Sequence, residues 1–229
     1  MLFSILALGL AGLATASPII TDGLMQPSNV DPSKDVSKAF HLVVKHAKTP
    51  FDGLYINTYH VGAGIDLVGV GVGARETARI FYQNGTLREY HTGQSTILSD
   101  SGTPEAPFGL SLVRDVADGG EFNSTEAGST TISTVYLSGR ATRGVSVSRA
   151  PTILPGSYLI CDEPVQYYAG KHLNILKNVK SPSDPIPEEC TFITLVPECT
   201  QLNALPAGSF SSHDFALDTE CYKNAATAQ

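Results

Sequence analysis

Residues 79–90, Arg-Ile-Phe-Tyr-Gln-Asn-Gly-Thr-Leu-Arg-Glu-Tyr, contain the clearest local signal for the fold. Asn84-Gly85 lies between two strand-like runs, and this dipeptide adopts the positive φ angles that a two-residue hairpin turn requires. The stretch therefore predicts a β-hairpin in which Tyr82 faces Leu87 across the two strands. Asn84-Gly85-Thr86 is also an N-glycosylation acceptor, which in a secreted protein would place the turn in solvent.

Strand-like patterns recur along the rest of the chain. Apolar and polar side chains alternate over residues 40–46 and 54–61, with a turn containing Pro, Asp and Gly between them. Further strands are expected over residues 65–72, 108–113, 130–137, 157–161, 172–176 and 191–196, and loops over residues 99–107, 117–129 and 178–189. Short strands separated by turns, without a convincing helical stretch, predict an all-β fold, a single-domain antiparallel β-sandwich or barrel. The sequence does not distinguish the sandwich from the barrel.

Residues 1–16 have the features of a signal peptide. They carry no charged side chain, and an apolar run over residues 2–13 is followed by small residues before a cleavage point at Ser17. A membrane anchor is the alternative, but the run is shorter than the about 20 residues that span a bilayer. We therefore predict that the mature protein is secreted and extracellular.

The mature chain divides into three predicted parts. Residues 17–36 contain three prolines among polar residues and predict a flexible N-terminal arm, for which a short pro-segment is the alternative. Residues 37–222 form the predicted all-β domain, and residues 223–229 a C-terminal tail. A domain of this size can bury a sizeable core.

The charge of the chain argues against two classes of partner. The formal net charge is −7, and Lys and Arg residues do not cluster in groups of more than two neighbours. An acidic surface repels phosphate backbones and anionic lipids. We therefore expect no nucleic-acid partner and, once the signal peptide is removed, no membrane partner.

The four cysteines, Cys161, Cys190, Cys199 and Cys221, lie in the C-terminal part, and an even number in a secreted chain predicts two disulfides. If residues 191–196 are extended, they carry the chain about 20 Å from Cys190, whereas a disulfide joins Cα atoms within about 7 Å. Pairing of Cys190 with Cys199 is therefore disfavoured. Of the two connectivities that stay open, we prefer Cys161 with Cys190 and Cys199 with Cys221, because the end of one antiparallel strand lies beside the start of its neighbour. A zinc site is the rival interpretation, but the sequence has no C-x-x-C spacing.

The chain lacks the short motifs of known catalytic, cofactor and metal sites. The six histidines show no ligand spacing, and no Gly-x-Ser-x-Gly elbow occurs. Gly69-x-Gly71-x-x-Ala74 loosely matches a dinucleotide fingerprint, but no helix clearly follows it, so a glycine-bent strand is the better interpretation. His60, near Asp66, is interpreted as a strand-end histidine with a hydrogen-bonded ring rather than a general base. We expect no catalytic, cofactor-binding or metal-binding residue.

Two features are relevant to carbohydrate. Tyr167-Tyr168 and the pair Tyr55/Tyr59 are candidates for an aromatic sugar-binding platform, although tyrosines are also common on sheet surfaces. The 22 Asp and Glu residues leave glycoside hydrolysis open, because that chemistry depends on the separation of two carboxylates in space. A second glycosylation acceptor, Asn123-Ser124-Thr125, falls in a predicted loop.

Several segments of the chain resemble a family of uncharacterised secreted proteins from filamentous fungi. They are Phe40-His-Leu-Val, residues 55–64, Phe81-Tyr-Gln-Asn-Gly, residues 97–104, residues 190–199, Ser212-His-Asp-Phe and Cys221-Tyr. The resemblance covers residues 40–222. It implies a fungal origin, secretion and a single domain of unknown function, and it supplies no activity, substrate or catalytic residue.

These observations favour a secreted glycoprotein that acts as a non-catalytic extracellular binding module. Its partner would be an extracellular ligand, either a cell-wall polysaccharide or a host surface protein. The first alternative is a secreted hydrolase of glycans or esters with its site on loops such as residues 99–107. The second is a structural cell-wall protein.

Overall fold

The structure, a computed structural model, describes residues 31–71, 73–114, 132–139, 145–148 and 150–228. Most of these residues lie in strands. The strands are β1 (Lys34–Ser37), β2 (Ala39–Lys45), β3 (Ile56–Gly62), β4 (Ile65–Val70), β5 (Phe81–Asn84), β6 (Thr96–Ser101), β7 (Ala106–Arg114), β8 (Ile132–Ser138), β9 (Ser146–Val147), β10 (Ile153–Leu154), β11 (Ser157–Val165), β12 (Lys171–Val179), β13 (Cys190–Thr200) and β14 (Thr219–Tyr222). Within these described ranges, helical structure is limited to α1 (Leu87–His91) and to 3₁₀ turns at Arg75–Thr77, Gln166–Tyr168 and Ala225–Thr227. The predicted all-β fold is confirmed.

The main sheet closes on itself. Strand β2 pairs with β5 on one side and with β13 on the other, so the order β2-β13-β11-β12-β8-β7-β6-β5 returns to β2. Strand β4 enters the ring between β12 and β8 and carries β3 beside it. The described pairings are antiparallel except for a bridge between β13 and β14. The architecture is therefore the predicted barrel rather than the sandwich, because hydrogen bonds between β2 and β5 close the ring of strands.

Strand β2 shows how the ring is filled. Its residues Phe40, Leu42 and Val44 point into the main core, where they meet Phe81 of β5 and other fully buried side chains. The alternate residue Val43 packs on the outside of the ring against the last residues of the chain. Both faces of β2 are therefore covered, which explains why six of its seven residues are buried.

The prediction of a hairpin at Asn84-Gly85 is wrong. Strand β5 ends at Asn84, Thr86 then caps α1, and β5 pairs instead with β6, placing Tyr82 opposite Leu98. The hydroxyl of Thr86 accepts a hydrogen bond from the backbone N–H of Glu89, whose carboxylate accepts one from the backbone N–H of Thr86. This capping box starts a helix where the dipeptide alone indicates a turn.

Three predicted boundaries differ from the observed ones. Ser99–Ser101 end β6 and Ala106 starts β7, so the predicted loop 99–107 shrinks to a turn. Strand β1 begins within the predicted arm, crosses its boundary at residue 36 and pairs with β14. The 3₁₀ turn Ala225–Thr227, in the predicted tail, packs against β2 and β13 through Ala225. The predicted signal peptide and most of the arm lie outside the described residues.

The glycine-rich segment is a strand and not a dinucleotide-binding turn. Gly69 lies in β4, and a 3₁₀ turn rather than an α-helix follows it at Arg75–Thr77. A Cβ atom at Gly69 would collide with the carbonyl oxygen of Asn174 on β12. The glycine is therefore required for the close approach of two strands.

The preferred disulfide connectivity is confirmed. Cys161 and Cys190 are direct partners in the β11–β13 register, with Cα atoms 4.1 Å apart, and Cys199 is bonded to Cys221 with Cα atoms 5.2 Å apart. Strand β13 is extended from Cys190 to Thr200, which separates its two cysteines. Among the residues that the structure describes, no helix has the length and apolarity needed to cross a membrane.

Candidate functional site

The β11–β12 hairpin positions an exposed pair of tyrosines. Its turn contains Gln166–Tyr168, followed by Ala169 and Gly170 in left-handed conformations with φ of 55° and 78°. This sharp reversal holds Tyr167 at the surface with 58 % of the residue exposed. Tyr168 is half-buried and packs against the apolar cluster of Leu67, Val165 and Ile175.

Strand β3 completes an aromatic surface, which we define as Tyr59, His60, Tyr167 and Tyr168. The ring of Tyr59 meets Tyr168 edge-on at a centroid distance of 6.4 Å, and His60 meets Tyr167 edge-on at 5.8 Å. The two turn tyrosines are 5.5 Å apart. Of the two pairs named from the sequence, Tyr59 thus joins Tyr167-Tyr168. Tyr55 does not, because its hydroxyl donates a hydrogen bond to Glu198 elsewhere on the sheet.

His60 is tied to a buried carboxylate. Its Nδ1 lies 3.0 Å from Oδ1 of Asp66, and because a carboxylate only accepts, the ring nitrogen is the donor. The imidazole side chain is 59 % exposed, whereas that of Asp66 is 6 % exposed. The second oxygen of Asp66 accepts from the Ser101 hydroxyl at 3.3 Å and lies 3.8 Å from Nη2 of Arg79. The interpretation of His60 as a hydrogen-bonded strand-end histidine is confirmed.

Arg79 links the aromatic surface to a neighbouring pocket. Its Nη1 donates to the Ser99 hydroxyl and to the backbone carbonyl of Asp100, while its Nη2 faces Asp66. Burial lowers the pKa of Arg79, and the nearby charges of Asp66 and Asp100 oppose that shift. A guanidinium held in this way is rigid and charged at the edge of the pocket.

Asp100 is held from two sides. Tyr82 donates its hydroxyl to Oδ1 at 3.0 Å, and Nε2 of His213 lies 2.8 Å from Oδ2. Burial, followed by the charge of Asp100, raises the pKa of Tyr82. His213 therefore pairs with a distant aspartate and not with its sequence neighbour Asp214, whose carboxylate accepts from Ser212.

A polar pocket of about 400 Å³ lies beside Arg79. Its lining combines amide, hydroxyl and charged side chains: Asn57, Thr58, Thr77, Ala78, Arg79, Ile80, Ser99, Asp100, Glu105 and Asn203. Oε2 of Glu105 is buried and has no hydrogen-bond partner within the described chain. Such a lining can donate to and accept from a ligand rich in hydroxyl groups.

The aromatic surface and the polar pocket are connected by direct contacts. Tyr167 touches His60, His60 bonds to Asp66, Asp66 faces Arg79, and Arg79 lines the pocket. We call this the candidate site. It joins an exposed ring to a cluster of hydrogen-bonding groups.

A family model described as a domain of unknown function (DUF7907) matches residues 37–199 of the chain. The chain belongs to this family. The antigenic protein SchS34 of Stachybotrys chartarum is 39 % identical over 209 residues, covering 83 % of this chain and 88 % of that protein. No solved structure matches the chain. The predicted resemblance to an uncharacterised family, with a filamentous-fungal relative, is confirmed.

The DUF7907 match contains most of the candidate site. It spans the whole aromatic surface, Asp66, Arg79, Asp100 and Glu105, whereas Asn203 and His213 follow its last residue. Arg79, Asp100 and Glu105 were not singled out from the sequence. Asp100 and Glu105 lie in residues 99–107, which the sequence analysis predicts as a loop that would carry the site of the alternative hydrolase. That predicted loop is the only sequence signal for these two residues.

A second polar cluster in the DUF7907 fold anchors the C-terminal segment. Glu198 accepts from Nε of Arg75 at 2.7 Å, from the Tyr55 hydroxyl at 3.0 Å and from the backbone N–H of Ala225 at 2.7 Å. Burial acts to raise the pKa of Glu198, but these three hydrogen bonds outweigh it and lower the pKa. Its contribution to stability is therefore present at neutral pH and is lost as the pH falls through the folded-state pKa.

The remaining predicted site residues of the DUF7907 chain are the sequons. Asn84 pairs with Thr96 and bridges Ala216, and its Oδ1 is buried. Its glycosylation stays a prediction, and Asn123 lies outside the described residues. In the part of the chain that is described, no three His, Cys, Asp or Glu side chains are grouped to hold a metal ion.

Proposed function

We propose that this protein is an extracellular, non-catalytic carbohydrate-binding protein whose ligand is a cell-wall polysaccharide. The observation that carries the proposal is the continuous path from the exposed Tyr167 ring, through His60, Asp66 and Arg79, to the polar pocket. Sugars present an apolar C–H face and a rim of hydroxyl groups. An exposed ring beside fixed donors and acceptors complements both.

The exposed ring supplies the stacking part of the proposed interaction. Tyr167 is held by edge contacts to His60 and Tyr168, so its orientation is restricted before a ligand arrives. A pre-oriented aromatic side chain loses little conformational entropy on binding. The long axis of a polysaccharide would pass over Tyr167, with one unit extending towards the pocket.

The hydrogen bonds of the two aspartates support a binding role over a catalytic one. Asp66 accepts hydrogen bonds from His60 and Ser101. Asp100 accepts hydrogen bonds from Tyr82 and His213. Attack on a substrate by either carboxylate would compete with these hydrogen bonds. They are well suited to fixing the positions of His60 and Arg79.

Two further observations support an extracellular location. Cys161–Cys190 and Cys199–Cys221 are bonded, and disulfides persist in oxidising compartments. The relative from Stachybotrys chartarum is described as antigenic, which is compatible with a protein that leaves the cell.

The proposal is tested with the purified mature protein. Co-sedimentation with insoluble chitin, β-glucan and mannan, followed by calorimetry with soluble oligosaccharides of the retained polymer, should show saturable binding. Tyr167→Ala should weaken binding by about tenfold, since central aromatic contacts commonly contribute more than 1 kcal/mol. Leu87→Ala is the control, because Leu87 on α1 is similarly exposed at 67 % and belongs neither to the aromatic surface nor to the pocket lining.

Two results would overturn this function. The first is a lack of retention on every polysaccharide together with saturable binding to a host surface protein. The second is polysaccharide binding that Leu87→Ala weakens as much as Tyr167→Ala.

A hydrolase is the second candidate, favoured by one specific observation. Glu105 and Asp100 line the same pocket, and Oε2 of Glu105 has no partner among the described residues. A carboxyl group in this setting is available to donate a proton to a leaving group. Release of reducing ends or of carboxylic acid from a glycan and ester panel, abolished in Glu105→Gln, would favour this function. No turnover by the wild-type protein would reject it.

A further inference from the structure

A second cleft lies at the open end of the β11–β12 hairpin, away from the aromatic turn. Two cavities, of about 500 Å³ and 240 Å³, share Pro155 and Gly156 as part of their walls. Nothing in the candidate site described above uses these residues. We call the two cavities together the open-end cleft.

The larger cavity is lined by neutral polar and small groups. Gln94, Ser95 and Ser146 supply an amide and two hydroxyls, and Leu154 with Pro155 supplies an apolar wall. Ser95 is only 3 % exposed, and its Oγ has no hydrogen-bond partner in the described chain. A buried hydroxyl without a partner destabilises the fold, and a ligand that bonds to it would remove that cost.

The smaller cavity is positively charged. Arg114 and Lys180 line it, and within the described residues neither side chain forms an ion pair with a carboxylate. The two cations line one cavity although the chain as a whole has a net charge of −7. Two unpaired cations on one cavity attract an anionic group, and a guanidinium also matches a carboxylate or phosphate geometrically.

The wall between the two cavities has a fixed shape. Gly156 has a φ of 70°, and a Cβ atom there would collide with the carbonyl oxygen of Val179. The neighbouring carbonyl of Pro155 accepts a hydrogen bond of 2.7 Å from Nδ2 of Asn178. The charged and the neutral cavity therefore keep a constant spacing, which favours a ligand that carries both kinds of group.

We propose that the open-end cleft binds an anionic sugar. Its carboxylate or phosphate would pair with Arg114 and Lys180. Its ring hydroxyls would bond to Gln94, Ser95 and Ser146, with the apolar face of the ring against Leu154. This site is separate from the aromatic surface and does not depend on it.

Calorimetric titration of the full mature protein tests the site with four probes. Trigalacturonate carries carboxylates, mannose 6-phosphate carries a phosphate, maltotriose is neutral, and inorganic phosphate has no sugar. At least one anionic sugar should bind about tenfold more tightly than maltotriose and than inorganic phosphate, and its binding should weaken with added salt. The better of the two anionic probes identifies which anionic group the cleft prefers.

Variants locate the binding and separate it from the proposed polysaccharide function. Arg114→Gln combined with Lys180→Gln should weaken the anionic sugar at least tenfold, and Ser95→Ala should weaken it severalfold. Lys171→Gln, an exposed lysine at the other end of the hairpin, and Tyr167→Ala should leave it unchanged. The proposal is overturned if neither anionic sugar binds, if maltotriose or inorganic phosphate binds equally well, or if the double variant binds like the wild type. Salt-insensitive binding to the wild-type protein would also overturn it, whatever the stability of the variants.

Discussion

The two ends of the β11–β12 hairpin satisfy their polar groups differently. The strands are nine residues each, so the aromatic turn and the open end are about 26 Å apart. Beside the turn, Asp66 is bonded to His60 and Ser101 and faces Arg79. Near the open end, the Tyr158 hydroxyl and Ser95 Oγ are buried without a partner in the described chain.

This difference shows that burial alone does not identify a binding site. At the turn end, the buried carboxylate of Asp66 is used internally, and the exposed rings face outwards. At the open end, the Tyr158 hydroxyl and Ser95 Oγ are held in the same fold without partners in the described chain. A group that is already bonded stabilises the fold, whereas an unbonded group costs stability unless a ligand reaches it.

Asp66→Ala should produce the largest loss of stability. It removes the carboxylate that faces the mostly buried Arg79, and we expect the free energy of unfolding to fall by about 3 kcal/mol, because an unpaired buried charge is costly. Urea unfolding monitored by tyrosine fluorescence measures the change.

Asp162→Ala is the matched control for that loss. Asp162 also bonds to a histidine, His172, at 3.1 Å, but the two side chains are 57 % and 62 % exposed. Its removal should change stability by less than about 1 kcal/mol. Equal losses at Asp66 and Asp162 would show that the buried network contributes nothing beyond one surface pair.

Gly156→Ala and Gly170→Ala compare how closely the chain is packed around a glycine at the open end and at the turn, through their effects on stability. Gly156 and Gly170 have similar φ angles of 70° and 78°, but a Cβ at Gly156 meets the Val179 carbonyl, while one at Gly170 meets nothing within 4 Å. We expect Gly156→Ala to cost about 2 kcal/mol and Gly170→Ala about 1 kcal/mol. Thermal unfolding of both variants gives the difference, and a larger loss for Gly170→Ala would contradict the close contact with β12.

Removal of a tyrosine hydroxyl should have opposite effects at the two ends. Tyr158→Phe deletes an unbonded buried hydroxyl and should raise the free energy of unfolding by about 1 kcal/mol. Tyr59→Phe deletes a hydroxyl that donates to the carbonyl of Val70 at 2.7 Å and should lower it by a similar amount. Chemical denaturation of both proteins measures the two signs. If Tyr158→Phe is destabilising, the hydroxyl has a partner and the contrast between the ends fails.

The sequence predicts the class of fold and the covalent links well because both depend on local patterns. Alternation over residues 40–46 and 54–61 is sufficient to place β2 and β3, and an extended segment after Cys190 is sufficient to favour the observed disulfides. The prediction of a hairpin at Asn84-Gly85 is wrong because two local signals overlap there. The capping box formed by Thr86 and Glu89 prevails over the turn preference of the dipeptide.

The candidate site was predicted only in part, because its members are distant in sequence. The sequence indicates Tyr55/Tyr59 and Tyr167-Tyr168 as separate pairs, and only the path of β3 beside β4 brings Tyr59 to Tyr168. The link between Asp100 and His213 depends on a contact between β6 and the segment before β14. No spacing motif records such a contact, since the two residues are 113 positions apart in the sequence.

Strand β13 has a consequence for how the protein responds to cleavage. Its cysteines close two covalent loops, one that includes residues 180–189 and one that includes residues 201–218. A protease that nicks either segment would leave both fragments joined, so the nicked protein would keep its mass and migrate as one species until a reductant separates the pieces. Proteolytic damage in these segments would therefore be invisible on a non-reducing gel.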